Sequence, residues 1–136
     1  MILWFTGQPG SGKTTLAKEI ISIWHHDNIF HIDGDDLRDV LDNKDYSEKG
    51  RRKNIQFAID MAKVMDDKGY LVIVSLVSPY RDMREKLKSN RNITEFYLHT
   101  TEIPPIHNFV DINTGKPIEE CVDEILDVYR QMATVA

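Results

Sequence analysis

Ile2-Leu3-Trp4-Phe5-Thr6-Gly7-Gln8-Pro9-Gly10-Ser11-Gly12-Lys13-Thr14-Thr15 is the stretch whose reading decides the fold. An apolar run of strand length is cut off by Gly7, and Gly7 to Thr14 fits G-x-x-x-x-G-K-[ST] at every fixed position. The apolar spacing of Leu16, Ile20, Ile23 and Trp24 predicts a helix from Lys13 to His26. Strand, glycine loop and helix in that order form a phosphate-binding loop. The glycines let the main chain approach phosphate oxygens, and the backbone N–H groups and helix N-terminus favour an anion. Gly7, Gln8, Pro9, Gly10, Ser11, Gly12, Lys13, Thr14 and Thr15 are therefore candidate nucleotide-binding residues. Lys13 is expected to reach the β- and γ-phosphates, Thr14 to offer its hydroxyl to magnesium, and Thr15 to contact the α-phosphate. No N-K-x-D element for guanine occurs, which favours ATP, with Mg2+ expected through Thr14.

Working outward, strand and helix patterns alternate to the end of the chain. Ile29 to Ile32 reads as a second strand, expected beside the first and closed by Asp33-Gly34-Asp35. Ser47 starts a long helix with Ile55, Ala58, Ile59, Ala62 and Met65 on one face, and Gly69 ends it. Tyr70 to Ser75 reads as a central strand, and Ser78-Pro79 as the cap and first residue of another helix. Ile93 to His99 and Phe109 to Ile112 supply a fourth and a fifth strand, and Pro117 opens a last helix through Ile125 and Tyr129. Continuous apolar strands alternating with helices mean a parallel sheet covered on both faces. The expected fold is α/β: a three-layer P-loop NTPase fold with a five-stranded parallel sheet, in one domain over residues 1–136.

Composition narrows the classes. The 136 residues carry a net charge of −5, which counts against a nucleic-acid partner without excluding it. The basic cluster Lys49, Arg51, Arg52 and Lys53 suits a small phosphorylated ligand or a solvated helix face equally. No run approaches the roughly 18–20 apolar residues of a membrane helix. The N-terminus has no basic stretch before its apolar run, so it reads as a strand and not a secretory leader. Cys121 is the only cysteine, so no internal disulfide can form; a reducing cytoplasm is the expected setting, and the residue reads as core. His25 and His26 end the first helix, where positive charge is favourable, and as neighbours on a helix they point apart.

In parallel α/β sheets ligands sit at the carboxyl ends of strands, so Asp33 and Asp35 are expected in the crevice of the phosphate loop. Phosphoryl transfer needs a carboxylate for the acceptor's proton and others for the magnesium shell. Two aspartates flanking a glycine meet both needs at one place; Asp33 is read as catalytic with Lys13, and Arg38 as a holder of an anionic acceptor. Asp35 or Asp36 acting only as a helix cap is the competing reading.

At these residues the chain resembles the adenylyl-sulfate kinase family, which makes 3′-phosphoadenylyl sulfate from ATP and adenylyl sulfate. Asp33-Gly34-Asp35-Asp36-Leu37-Arg38 is similar to that family's D-G-D-x-x-R segment. Tyr46-Ser47-Glu48 with Arg51, Asn54 and Ile55 resembles F-S-x-x-x-R-x-x-N-I, and Ser75-Leu76-Val77-Ser78-Pro79-Tyr80-Arg81 resembles S-x-I-S-P-Y-R. The resemblance implies Asp33 as acceptor-side base and Asp35 in the magnesium shell. It implies Arg38, Arg51 and Asn54 on the acceptor's phosphosulfate and neighbouring polar groups, Tyr46 stacked on its adenine, and Leu76 and Val77 lining the same pocket. Ser78 matches a position sometimes assigned a phosphoserine in bacterial members, a role that in-line transfer does not require.

One departure stands out. The family carries a lid with a C-x-x-R-D-x-K-G-L-Y segment after its fourth strand, whereas no lysine or arginine occurs here between Arg91 and Lys116. A lid excludes water and completes the charge clamp, so its loss predicts a slower or leakier kinase or a larger acceptor. Arg81 and Arg84 either replace part of that charge or are surface residues. Three functions follow: a lidless adenylyl-sulfate kinase, a kinase for another hydroxyl (a modified DNA base, a polynucleotide end or a sugar), or a nucleotide-binding regulator without catalysis. Homodimerisation, and Asn113 and Thr114 as contacts for the ATP adenine, stay open.

Overall fold

Five apolar runs of the chain become five parallel strands, and the helices between them divide over the two faces of the sheet. The computed structural model describes residues 1–7, 12–24, 28–77, 80–88, 91–99 and 110–135. In chain order the elements are β1 (Ile2–Thr6), α1 (Lys13–Ile23), β2 (Ile29–Asp33), α2 (Gly34–Leu41) and α3 (Glu48–Asp67). They continue as β3 (Leu71–Ser75), α4 (Arg81–Lys88), β4 (Ile93–His99), β5 (Val110–Asn113) and α5 (Ile118–Val135). The sheet order is β2-β3-β1-β4-β5, and every neighbouring pair is parallel.

The second strand does not lie beside the first, as its sequence position led us to expect. β3 separates them, with Leu3 opposite Ile73 on one side and His31 opposite Ile73 on the other. The reason is burial: β1 and β3 are covered along their full length, whereas four of the five β2 residues are only partly buried. The two fully covered strands take neighbouring inner places and the more polar one takes an edge.

The period of two along the strands assigns each side chain to a face. Leu3, Phe5, Ile73, Phe96 and Leu98 pack on Leu16, Ala17 and Ile20 of α1 and on Cys121, Val122 and Ile125 of α5. Ile2, Trp4, Ile32, Val72 and Val74 pack on Leu37 of α2, on Ile55, Ala58, Ile59 and Ala62 of α3, and on Met83 and Leu87 of α4. Three layers result, and Cys121 is a core residue, 2% exposed.

Helix ends follow local chemistry. α1 stops at Ile23, short of the sequence expectation, because Trp24 leaves helical geometry and sets its ring edge-on to Tyr129 of α5, 4.3 Å between centroids. His25 and His26 lie outside the described residues, as do Ser78, Pro79 and Phe109. Ser47 caps α3, its Oγ accepting from the Gly50 N–H at 3.4 Å. The N-cap of α1 is Gly12, at φ +93°, with no side-chain cap and no acidic residue in the first turn. An L side chain is strained at that angle, and the uncapped N–H groups stay available to an anion.

Glu95 stands near the middle of β4, on the same face as Ile93 and 2% exposed. Lys88 Nζ and Arg84 Nε of α4 lie 3.3 and 3.9 Å from its Oε2, so Arg84 is turned to this carboxylate. Burial pushes Glu95 above its ordinary 4.5, and Lys88 and Arg84 oppose the shift without cancelling it. The folded state thus holds the proton to higher pH than the unfolded chain does. Stability falls as pH rises from the ordinary glutamate value through the folded one. Glu95→Gln is expected to melt at or above the wild-type Tm near about pH 7.5, the gap closing as both are acidified below the ordinary glutamate range. A clearly lower Tm for the variant at neutral pH would mean that the two cations outweigh the burial.

Candidate functional site

The strand order sends the chain from β1 toward β2 on one side and, later, toward β4 on the other. A crevice opens at the carboxyl ends where the direction switches. A cavity of about 450 Å³ lies there, within the range of small-molecule sites. Its lining comes from Gly12, Lys13, Thr14 and Thr15 at the start of α1, and from Asp33, Gly34, Asp35 and Arg38 at the β2–α2 junction. Arg51, Asn54 and Ile55 of α3 and Ser75, Leu76 and Val77 at the end of β3 complete it. Four segments separated along the sequence thus meet at one place.

Within it, Lys13 Nζ donates to the Gly7 carbonyl at 3.0 Å. Burial pulls the Lys13 ammonium below its ordinary 10.5, while Asp35 and then Asp33 pull it back up. Asp33 is the N-cap residue of α2, yet its carboxylate makes no cap bond; Oδ1 accepts from Thr14 Oγ1 at 3.3 Å instead. Capping is therefore not what this side chain does. Asp35 and Asp36 occupy the first turn of α2, where the helix dipole favours negative charge. Asn54 is 2% exposed, donates from Nδ2 to the Gly34 carbonyl at 3.4 Å, and its buried Oδ1 has no hydrogen-bond partner among the described residues. A buried acceptor left bare costs about 1–3 kcal/mol, so a donor arriving in the cavity would be favoured.

The segment from Asp42 to Ser47 is held by its own polar groups. Asn43 Oδ1 accepts from the Asp45 N–H at 3.1 Å, and Asp45 Oδ1 from the Ser47 N–H at 2.9 Å. Arg38 Nη1 donates to the Asn43 and Asp45 carbonyls at 3.0 and 3.2 Å, and its guanidinium lies 4.3 Å from the Tyr46 ring centroid. Arg51 Nε donates to the Tyr46 carbonyl at 2.9 Å. Both arginines are thus pre-oriented at the cavity wall. Tyr46 is 67% exposed and is not among the lining residues.

Of the sequence-predicted residues, Gly12, Lys13, Thr14, Thr15, Asp33, Asp35, Arg38, Arg51, Asn54, Leu76 and Val77 come together. Gly7 is held as the carbonyl partner of Lys13, and Gln8, Pro9, Gly10 and Ser11 lie outside the described residues. Arg81 is 80% exposed on its side chain and pairs with Glu85 at 3.9 Å, and neither it nor Arg84 lines the cavity. In the basic cluster Arg52 is taken up by Asp82, Glu48 and the Tyr80 ring. Ser75, Gly34 and Ile55 join the lining without having been expected from the sequence. Ser75, as the last residue of a continuous apolar strand in a parallel sheet, carried a signal that pointed to it.

A phosphate loop leaving an inner parallel strand, with carboxylates at the end of the strand that follows, defines the P-loop class of nucleotide-binding α/β proteins. The family model for adenylylsulphate kinase matches residues 1–121. The chain belongs to that family. It is 36% identical over 124 residues to the bifunctional enzyme NodQ of Rhizobium meliloti, covering 88% of this chain and 17% of the relative. With the adenylyl-sulfate kinase of Lactiplantibacillus plantarum it shares 33% identity over 124 residues, 89% of this chain and 54% of the relative. The chain thus spans from about a sixth to about half of these relatives. Among solved structures, a cysteine-to-alanine variant of the Mycobacterium tuberculosis APS kinase CysC superimposes with a TM-score of 0.80 at 26% identity, covering 95% of this chain and 96% of that one.

Gly50 sets how tightly the Asp42–Ser47 segment closes on α3. A Cβ there would stand 2.0 Å from the Asp45 carbonyl oxygen and 2.5 Å from the Asp45 Cβ, and the backbone atom cannot swing away. Gly50→Ala is expected to lower unfolding free energy by about 1–3 kcal/mol, as overpacking does. Urea titration measures it, and an unchanged midpoint would mean that the segment is not held as described.

Proposed function

We propose that the chain, as one domain, transfers the γ-phosphoryl group of ATP to the 3′-hydroxyl of adenylyl sulfate in the cytoplasm. The observation that carries the reading is the Thr14 Oγ1 to Asp33 Oδ1 bond, which joins the phosphate-loop helix to the carboxylate at the end of β2. With that contact, a phosphate held by Gly7 to Thr15 and a hydroxyl held against Asp33 are neighbours. The acceptor oxygen attacks the γ-phosphorus, its proton passes to Asp33, and the bond to ADP breaks. Lys13 and the open N-terminus of α1 stabilise the charge on the phosphate oxygens.

Magnesium fits the donor set, which consists of oxygens. Thr14 gives its hydrogen to Asp33 and keeps its lone pairs, and Asp35 adds a carboxylate at the same cavity. Among the described residues no three acidic, histidine or cysteine side chains form a closed cage, which suits an ion that takes one or two protein oxygens besides phosphate and water. Thr14 and Asp35 would hold it, and it would neutralise charge on the β- and γ-phosphates.

For the acceptor, family membership is supported by the chemistry of the cavity wall. Arg38 and Arg51 at the cavity wall would receive an anionic group, and Asn54 Oδ1 could accept from a donor such as an adenine amine or a ribose hydroxyl. Leu76 and Val77 offer apolar surface, and Tyr46, against Arg38 outside the lining, offers an exposed aromatic ring.

ADP release from MgATP is expected to rise on adding micromolar adenylyl sulfate. Asp33→Asn should lower kcat by at least about 100-fold, as loss of a general base does, with MgATP binding retained. Near-normal turnover by that variant would remove Asp33 from the base role. Intact MgATP binding with no response to adenylyl sulfate would transfer the reading to another hydroxyl acceptor.

A further inference from the structure

His31 is half-buried on β2, one step behind Asp33 on the same face of the strand. Its Nε2 lies 2.9 Å from Ser75 Oγ across the β2–β3 ladder. Ser75 is the register partner of Asp33, is 2% exposed, and lines the cavity. Ser75, whose hydroxyl His31 holds, therefore lines the cavity beside the carboxylate assigned the acceptor's proton. Ser75 has no acidic or basic function of its own, but a buried hydroxyl has one hydrogen and two lone pairs to aim. Left alone, it samples staggered rotamers and can turn away from the cavity. Tied to an imidazole on the neighbouring strand, it has one orientation. Burial keeps His31 below its ordinary 6.5, against the pull of Asp33 and Asp36 and with Lys18 reinforcing it. A neutral ring can accept the Ser75 hydrogen or give one to it, and either choice fixes what the hydroxyl presents to the cavity.

We propose that His31 is a positioning residue for phosphoryl transfer, acting through Ser75 to present a fixed hydroxyl beside Asp33. The inference rests on the proposed phosphotransferase reading but not on the identity of the acceptor, because Asp33 would serve any hydroxyl brought to it, water included. A residue that only filled the sheet would affect stability and leave the chemical step alone.

The test is a double-mutant cycle on the full chain with His31→Leu, Ser75→Ala and the pair, with His31→Gln as the conservative variant. Each single change is expected to lower kcat about tenfold, the worth of one buried hydrogen bond, while KM for MgATP stays within about twofold. The double variant should be no slower than the slower single one, and His31→Gln, which can still reach Ser75 with an amide, should recover part of the loss. Thermal unfolding on all four shows which of them fold. A kcat for folded His31→Leu within about twofold of wild type, or a double variant that falls by the product of the two singles, overturns the proposal.

If adenylyl sulfate does not stimulate the wild type, the acceptor reading fails by itself, and the same cycle is read on ATP hydrolysis without acceptor. Independently of turnover, the ring nitrogens of His31 are followed by nitrogen NMR. Ser75→Ala should shift its Nε2 resonance and leave the other histidines in place, and an unmoved resonance means that the bond, and the proposal with it, is absent.

Discussion

Everything in the molecule depends on β1 being enclosed on both faces and along both edges. Its five residues are buried, Leu3 and Phe5 against one helical layer and Ile2 and Trp4 against the other. β3 and β4 pair with its edges. A strand in that position has one exit for the chain, at its carboxyl end. There Gly7 begins the loop and Gly12, at positive φ, turns the backbone into α1. Because neighbouring strands run parallel, the ends of β2 and β3 arrive on the same side. Asp33, Ser75, Leu76 and Val77 therefore meet Gly12 to Thr15 at the start of α1.

The charges in the crevice are arranged so that few of them meet directly. Asp33 takes a neutral hydroxyl as its partner, and Arg38 and Arg51 take backbone carbonyls. Had the arginines paired with Asp33 or Asp35, an incoming anion would have to break an ion pair before binding. Carbonyl partners orient a guanidinium without setting an ion pair that an anion must first break. Glu95, on the far side of β1, shows the opposite arrangement, with two cations drawn to a buried carboxylate that serves the packing of α4.

Much of this was legible in the residues, and what was not has physical causes. The phosphate loop could be read because its glycines and lysine sit at fixed spacing in a short segment. The cavity residues of α2 and α3 were legible through a resemblance whose motifs are local in sequence. Strand order was not legible: apolar runs reveal that a strand is covered, but two covered strands and a half-covered one can be ordered in more than one way. Register was also hidden, and with it the bond between His31 and Ser75, which are 44 positions apart. Glu95 was passed over because a single acidic residue inside an apolar strand does not announce whether it faces solvent or α4. The end of α1 was misjudged because Trp24 fits a helical apolar pattern and is drawn out of it by Tyr129, a partner more than a hundred residues away.

The place of β2 in the sheet has an effect on the order in which the protein comes apart. Among the described residues β2 is hydrogen-bonded to β3 on one side only, whereas β1 is bonded on both. Amides on a one-sided strand open to solvent by local fluctuations that cost less than global unfolding, and amides of an inner strand wait for the larger event. The segment leading to Lys13 follows the inner strand, and Asp33 ends the outer one. Warming is therefore expected to loosen the Asp33 side of the crevice before the Lys13 side. On the proposed reading, the chain would pass through a window in which it still binds nucleotide but no longer transfers the phosphoryl group.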